Sequence, residues 1–243
     1  EYNPFEVVKT NIHGAQNVID AALECNVKKI IALSTDKAAA PINLYGATKL
    51  TSDKMFVTAN NYNDSKVQFS VVRYGNVFAS RGSVVPFFLN LKKKSNYFPI
   101  TDKSMTRFNI TLEHASDFVI KCFNSMWGGE IFVPKAPSYR ILDIAKAIDP
   151  KMKLKFVGIR PGEKIHEELI TQNDSHNVLE FEKHYVILPN SKFISWNKRS
   201  YFKKVLVKKF PKKVQIGFSY NSGDNAHFLN ILELKKLIKK IND

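Results

Sequence analysis

The sequence predicts an α/β fold with a parallel sheet, and three observations carry that expectation. Apolar residues recur at steps of three and four in separate stretches, the mark of helices with one buried face. Short apolar runs at Lys29–Leu33, Val67–Val72 and Glu130–Val133 stand between those stretches. The resulting order is helix, strand, helix, strand, a mixed region, helix and strand, which suits parallel strands joined by crossovers.

Each element has a local reason. Asn3 can cap the first helix and Pro4 suits its first turn. Phe5, Val8, Ile12, Ala15, Ile19 and Ala22 then form its apolar stripe. Lys29–Leu33 reads as a buried parallel strand. A second helix is expected over Leu44–Asn61, and a second strand over Val67–Val72. Thr111 opens a third helix with Leu112, Ala115, Phe118, Val119, Cys122 and Met126 on one face, and Gly128–Gly129 stops it. From Tyr139 the pattern changes to a short helix, a Lys-rich strand at Lys153–Val157, a turn at Arg160–Glu163 and irregular β-prone segments. A last helix spans about Asn230–Ile241.

The chain has 243 residues and a formal net charge of +15. Its lysines are scattered, with short runs at Lys92–Lys94, Lys208–Lys209, Lys212–Lys213 and Lys235–Lys236. Scattered charge reads as solvated faces rather than a nucleic-acid groove, and it favours a substrate that carries phosphates. Cys25 and Cys122 are expected as buried thiols on helix faces, not as a disulfide. The six His show no metal-ligand spacing, so no metal is expected. No apolar run is long enough to cross a membrane.

In open α/β sheets, ligands sit beyond the carboxyl ends of the strands. Ser34-Thr35-Asp36-Lys37 follows the first strand directly. Alone, Ser-Thr-Asp is also a turn and capping sequence. Tyr45 and Lys49 change its weight. They stand four apart on a predicted helix and so share a face. A nearby ammonium would lower the phenol pKa, and such a tyrosine can take a proton from a sugar hydroxyl.

The run Leu33-Ser-Thr-Asp-Lys-Ala-Ala-Ala-Pro-Ile-Asn-Leu-Tyr-Gly-Ala-Thr-Lys49 resembles that of inverting UDP-N-acetylglucosamine 4,6-dehydratases of the PseB type, in the extended short-chain dehydrogenase/reductase superfamily. The same holds for Arg73–Val77, Ser80–Pro86, Pro99–Asp102, Met105–Phe108 and Gly158–Lys164. Long membrane-anchored relatives carry Met where this chain has Tyr45.

The resemblance implies an incomplete Rossmann-like parallel sheet with a smaller carboxy-terminal substrate-binding domain. Residues 1–79 and 108–135 would belong to the NADP-binding domain, and 80–107 and 136–243 to the UDP-sugar domain. It implies catalysis by Thr35, Asp36, Lys37, Tyr45 and Lys49. NADP would lie near Tyr45, Lys49 and Val77. The UDP-sugar would meet Asn76, Arg81, Gly82, Ser83, Val84, Val85, Thr101, Arg107, Arg160 and Glu163, with Arg107 as the phosphate clamp and Arg160 and Glu163 on the uridine.

The implied activity is dehydration with inversion at C5, feeding pseudaminic-acid-type sugars of flagellin or surface polysaccharide, in a cytoplasmic homo-oligomer without nucleic-acid or membrane partners. A C5-retaining dehydratase and a 4-epimerase are the alternatives within the class. A non-catalytic, basic nucleic-acid-binding protein is the alternative outside it. An epimerase would not need the Asp36–Lys37 pair.

No Gly-x-Gly-x-x-Gly occurs in the 243 residues. That loop lets a Rossmann backbone approach a pyrophosphate. The family carries it upstream of the segment matching Glu1, so the sequence is expected to be a part of the enzyme that neither binds NADP tightly nor turns over alone.

Overall fold

A computed structural model describes residues 2–62, 67–189, 201 and 211–242. The Lys208–Lys209 run and Glu1 lie outside the described residues. In chain order the chain forms α1 (Pro4–Val8), a π-helical segment (Lys9–His13), α2 (Gly14–Glu24), β1 (Lys29–Thr35), a 3-10 turn (Asp36–Ala38), α3 (Leu44–Thr58), a second 3-10 turn (Ala59–Asn61) and β2 (Gln68–Tyr74). Next come α4 (Val84–Lys92), β3 (Tyr97–Ile100), β4 (Thr106–Phe108), α5 (Leu112–Ser125), β5 (Ile131–Pro134), β6 (Ser138–Arg140), α6 (Ile141–Ile148) and β7 (Lys153–Phe156). The remainder is β8 (Glu168–Ile170), a 3-10 segment (Gln172–Asn177), β9 (Val178–Glu180), β10 (His184–Ile187), β11 (Lys212–Lys213), β12 (Tyr220–Asn221) and α7 (Ile231–Asn242).

These elements make two compact units. The first holds residues 1–74, 116–135 and 169–219, and the second holds 75–115, 136–168 and 220–243. The division differs from the expected one. Residues 169–219 join the first unit because their strands extend its sheet. The sheet order is β1-β2-β5-β10-β9-β11. The β1–β2 and β2–β5 pairs are parallel, as the alternation predicts. The β5–β10, β10–β9 and β9–β11 pairs are antiparallel. Residues 75–79 and 108–115 pass to the second unit, where Val77 bridges Ile110.

The core of the first unit joins sheet and helix. Val72, Phe132, Leu179 and Val186 from the strands pack with Cys122 and Met126 at the end of α5. Two expectations fail at its periphery. Asn3 makes no side-chain cap, and Val7 N–H instead donates to the Asn3 backbone carbonyl. Of the six-residue stripe only Ala15, Ile19 and Ala22 are buried, because the π-helical turn intervenes and rotates the amino-terminal positions out of phase. Cys25 is exposed rather than buried, since it caps the end of α2; Cys122 is buried.

The second unit has its own core. Val85 and Phe88 of α4, Phe98 and Ile100 of β3, Ile141 and Ile144 of α6, and Leu234 and Ile238 of α7 meet there. The Phe88 and Phe98 rings stack with centroids 4.7 Å apart. Caps fix the helix starts. Thr111 Oγ1 accepts from His114 N–H before α5. At α7, Asn230 Oδ1 accepts from the N–H groups of Leu232 and Glu233, while Glu233 Oε2 accepts from Asn230 N–H. Among the described residues no helix is long and apolar enough to cross a membrane.

Candidate active site

The first unit brings the five expected catalytic residues to the carboxyl end of β1. Thr35 is the last residue of that strand, and Asp36 and Lys37 form the turn that follows. Asp36 is fully buried. Its Oδ1 accepts from Thr35 Oγ1 at 2.9 Å and from Lys37 Nζ at 3.0 Å. Its other oxygen, Oδ2, has no hydrogen-bond partner among the described residues. Lys37 is about one-third exposed on its side chain, so one end of the ion pair reaches solvent while the other does not.

The turn is held from below. Thr35 Oγ1 also accepts from Lys37 N–H at 3.4 Å. Ala38 and Ala39 are buried, and Ala40 then takes a left-handed backbone with φ 45°. Asn43 caps α3 by accepting from Gly46 N–H at 2.8 Å. Gly46 lies so close to the turn that a Cβ there would collide with the Lys37 carbonyl oxygen.

Tyr45 and Lys49 share one face of α3, as their spacing predicts. Lys49 Nζ donates to the Leu33 carbonyl at 2.8 Å and so ties the helix to the end of β1. Tyr45 is 42% exposed, and no bond to its hydroxyl is found among the described residues. Its phenol pKa is raised, first by burial of part of the ring. The Lys37 ammonium pulls it down, and the Asp36 and Asp53 carboxylates push it up. This corrects the expectation drawn from the helical spacing. The cation that acts on the phenol is Lys37, because Lys49 is drawn back to the strand carbonyl.

Sequence reasoning missed two buried residues behind this set. Asp53 Oδ2 accepts from Ser34 Oγ at 2.7 Å and from Arg73 Nη2 at 3.1 Å. Arg73 Nη1 donates to the Leu169 carbonyl at 3.2 Å and lies 3.9 Å from Asp174 Oδ2. The available signal was the position of Asp53, one further turn along the face that carries Tyr45 and Lys49.

The expected substrate residues fall in the second unit. Asn76 and Ser83 each carry a buried side-chain oxygen without a hydrogen-bond partner among the described residues, and such atoms are rare unless something else meets them. Val77 is half-buried on its bridge to Ile110. Arg81 and Gly82 are exposed, with Gly82 at φ 80°, and Val84 is half-buried. Val85 differs from the rest. It is fully buried in the apolar core, so its side chain serves packing. Thr101 follows β3.

Arg107 is oriented by its surroundings. Its Nη1 donates to the Thr106 and Ile165 carbonyls at 2.7 and 3.0 Å. Glu163 Oε1 and Glu167 Oε1 each lie 3.7 Å from its guanidinium. Arg160 and Glu163 close the expected turn, with Gly162 at φ 75°. Glu163 therefore faces Arg107 as well as the turn, where the expectation had it act with Arg160.

The model for one family, described as polysaccharide biosynthesis protein, matches residues 1–189. This chain belongs to that family. A family relative from Campylobacter jejuni subsp. jejuni serotype O:2, called UDP-N-acetylglucosamine 4,6-dehydratase (inverting), is 53% identical over 240 residues, 98% of this chain and 71% of the relative. A UDP-glucose 4-epimerase from Rickettsia bellii is 37% identical over 247 residues, 100% of this chain and 70% of the relative. The X-ray structure of Pen from Bacillus thuringiensis superposes with a TM-score of 0.83 at 34% identity, covering 99% of this chain and 71% of Pen. Pen thus shares the α/β architecture seen here.

Proposed function

We propose that this protein is an inverting UDP-N-acetylglucosamine 4,6-dehydratase that uses NADP and forms a UDP-4-keto-6-deoxy-L-arabino-hexosamine. The observation that carries the reading is the Asp36–Lys37 ion pair beside Tyr45. Oxidation at C4 needs one base. Elimination of water needs a base at C5 and an acid at C6 as well, and the pair supplies both. The name of the Campylobacter relative supports the same assignment.

The residues present fit the nicotinamide end of the cofactor. Tyr45 offers an exposed hydroxyl, and Lys49 is anchored at the strand end beside it. Val77 is the third residue assigned to it. NADP, when bound, supplies the acceptor for hydride from C4 and its donor to C6. Tyr45 Oη takes the C4 hydroxyl proton, with Lys49 and Thr35 assisting once substrate and cofactor are bound.

The resulting 4-keto group acidifies the C5 proton. One proton moving across the 3.0 Å between Lys37 Nζ and Asp36 Oδ1 turns the ion pair into a neutral amine and a neutral acid. Lys37 then takes the C5 proton and Asp36 protonates the departing C6 hydroxyl, so water leaves and the ion pair is restored. C5 regains a proton on the opposite face, drawn from the one that Tyr45 Oη took from the C4 hydroxyl, which returns the phenol to its starting state.

The unpaired oxygens of Asn76 and Ser83, with Arg107, support a UDP-sugar contact in the second unit. Arg81, Gly82, Val84, Thr101, Arg160 and Glu163 belong to the same proposal. Guanidinium geometry suits a diphosphate. We further infer a pseudaminic-acid-type glycan as the destination and a homo-oligomeric enzyme. Phe5, Val18 and Ile42, all exposed, support contacts between copies through the first unit.

The test follows the sugar by NMR. The enzyme is expressed from its complete gene and given UDP-N-acetylglucosamine and NADP in deuterated water. A 4-keto-6-deoxy product with deuterium at an inverted C5 is expected. A C4 epimer, as the Rickettsia relative's name would suggest, or retention at C5, overturns the assignment.

A further inference from the structure

We infer that Asp53 is a positioning residue for the reaction: through one buried oxygen it locks the strand that carries Thr35 and Asp36 to the helix that carries Tyr45 and Lys49. The inference rests on the functional reading above. It concerns residues to which that reading gives no role.

The geometry is specific. Ser34 and Arg73 face each other across the parallel β1–β2 pair. Both side chains donate to the same atom, Asp53 Oδ2, at 2.7 and 3.1 Å. Ser34, Asp53 and Arg73 are 6%, 1% and 3% exposed. Three elements therefore converge on one oxygen away from water, where each bond is stronger and each loss dearer. Ser34 is next to Thr35 in the strand. Asp53 is one turn beyond Lys49, which makes its own bond to Leu33. Side chains at successive turns of α3 thus grip successive residues of β1, Lys49 taking Leu33 and Asp53 taking Ser34.

A purely structural role would require only packing, and a hydrophobic cluster meets that need without burying charge. A buried carboxylate does something else as well. The charged groups acting on Tyr45 are Lys37 and Asp36 of the turn and Asp53 of its own helix. Those acting on Asp53 are Arg73 and Lys49, with Ser34 as hydrogen-bond donor. Asp174 faces Arg73 from the far side. The Asp53 charge opposes ionisation of the Tyr45 phenol and offsets part of the pull from Lys37.

Two variants separate position from charge. Asp53→Asn keeps an acceptor for Ser34 and Arg73 but removes the charge. Ser34→Ala removes one bond and leaves the charge. In Asp53→Asn the Tyr45 phenol, titrated by ultraviolet difference against Tyr45→Phe, is expected to ionise at a lower pH. The acidic limb of kcat should move by the same amount and direction. In Ser34→Ala the limb should stay while kcat falls about tenfold and KM changes little.

A phenol titration and pH profile unchanged in Asp53→Asn would overturn the inference, as would Ser34→Ala with wild-type kcat. If the wild-type enzyme yields no 4-keto product, the functional reading fails instead. The phenol titration still decides the role of Asp53 in that case, because it needs no turnover.

Discussion

Lys37 Nζ meets Asp36 Oδ1 at 3.0 Å, and the carboxylate it meets has no exposure to solvent. A base and an acid are therefore one proton transfer apart. Asp36→Asn and Lys37→Met should each cut formation of the 4-keto-6-deoxy product by roughly 10²–10⁴-fold, the usual worth of a placed proton donor or acceptor. Lys37→Met should also abolish deuterium uptake at C5. Steady-state rates and NMR of the sugar check both.

Arg107 should matter for binding more than for chemistry. Its guanidinium is oriented by two backbone carbonyls and faces Glu163 and Glu167. A lysine cannot reproduce that fork. Arg107→Lys should raise KM for the UDP-sugar by about ten- to a hundredfold, the range of a lost charge-assisted hydrogen bond, with kcat within a few-fold of wild type. Initial rates over a range of substrate concentrations would show it.

Gly46 has no room for a methyl group against the Lys37 carbonyl. Gly46→Ala should cost about 1–3 kcal/mol of stability, the usual penalty of overpacking. It should also lower kcat, because the atom it displaces belongs to the turn that carries the proposed acid and base. Thermal melting and turnover measured on the same preparation test the two effects together.

His184 gives a pH signature. It stacks on Phe181 with ring centroids 4.6 Å apart. Burial, helped by the Lys135 ammonium, pushes its pKa from 6.5 down to about 4. The unfolded chain therefore binds this proton at a higher pH than the folded one. The stability contributed by neutral His184 is fully present above pH 6.5 and is lost as pH falls towards 4, amounting to about 3 kcal/mol at the end. Urea midpoints between pH 7 and 4 should fall less steeply in His184→Phe than in the wild type.

Much of this was legible in the sequence where local rules dominate. The Thr111 start of α5 and the Asn230 start of α7 follow capping chemistry. The β1 and β2 runs follow hydrophobicity, and Tyr45 and Lys49 fall on one face as helical spacing requires. The rest depended on tertiary partners. β9, β10 and β11 are two to four residues long, too short for a period to show, and they join the sheet only because β5 offers an antiparallel edge. Asp53 and Arg73 carried no such local mark, since nothing local says that an acid and a base distant in sequence share a buried site. Cys25 stood in an apolar context, yet the end of α2 turns it outward.

Ala40 has a consequence for how this protein can vary. Its left-handed backbone sits between the turn that carries Asp36 and Lys37 and the helix that carries Tyr45. Branched side chains are sterically barred from that conformation, and proline cannot reach it. Alanine itself occupies it at a cost of about 1–2 kcal/mol. Position 40 is thus a bottleneck for neutral drift, favouring glycine, asparagine and aspartate and excluding β-branched residues and proline. Change is accordingly easier on the exposed loops of the second unit, such as Arg81–Gly82, than in the short linker from the Asp36–Lys37 turn to α3.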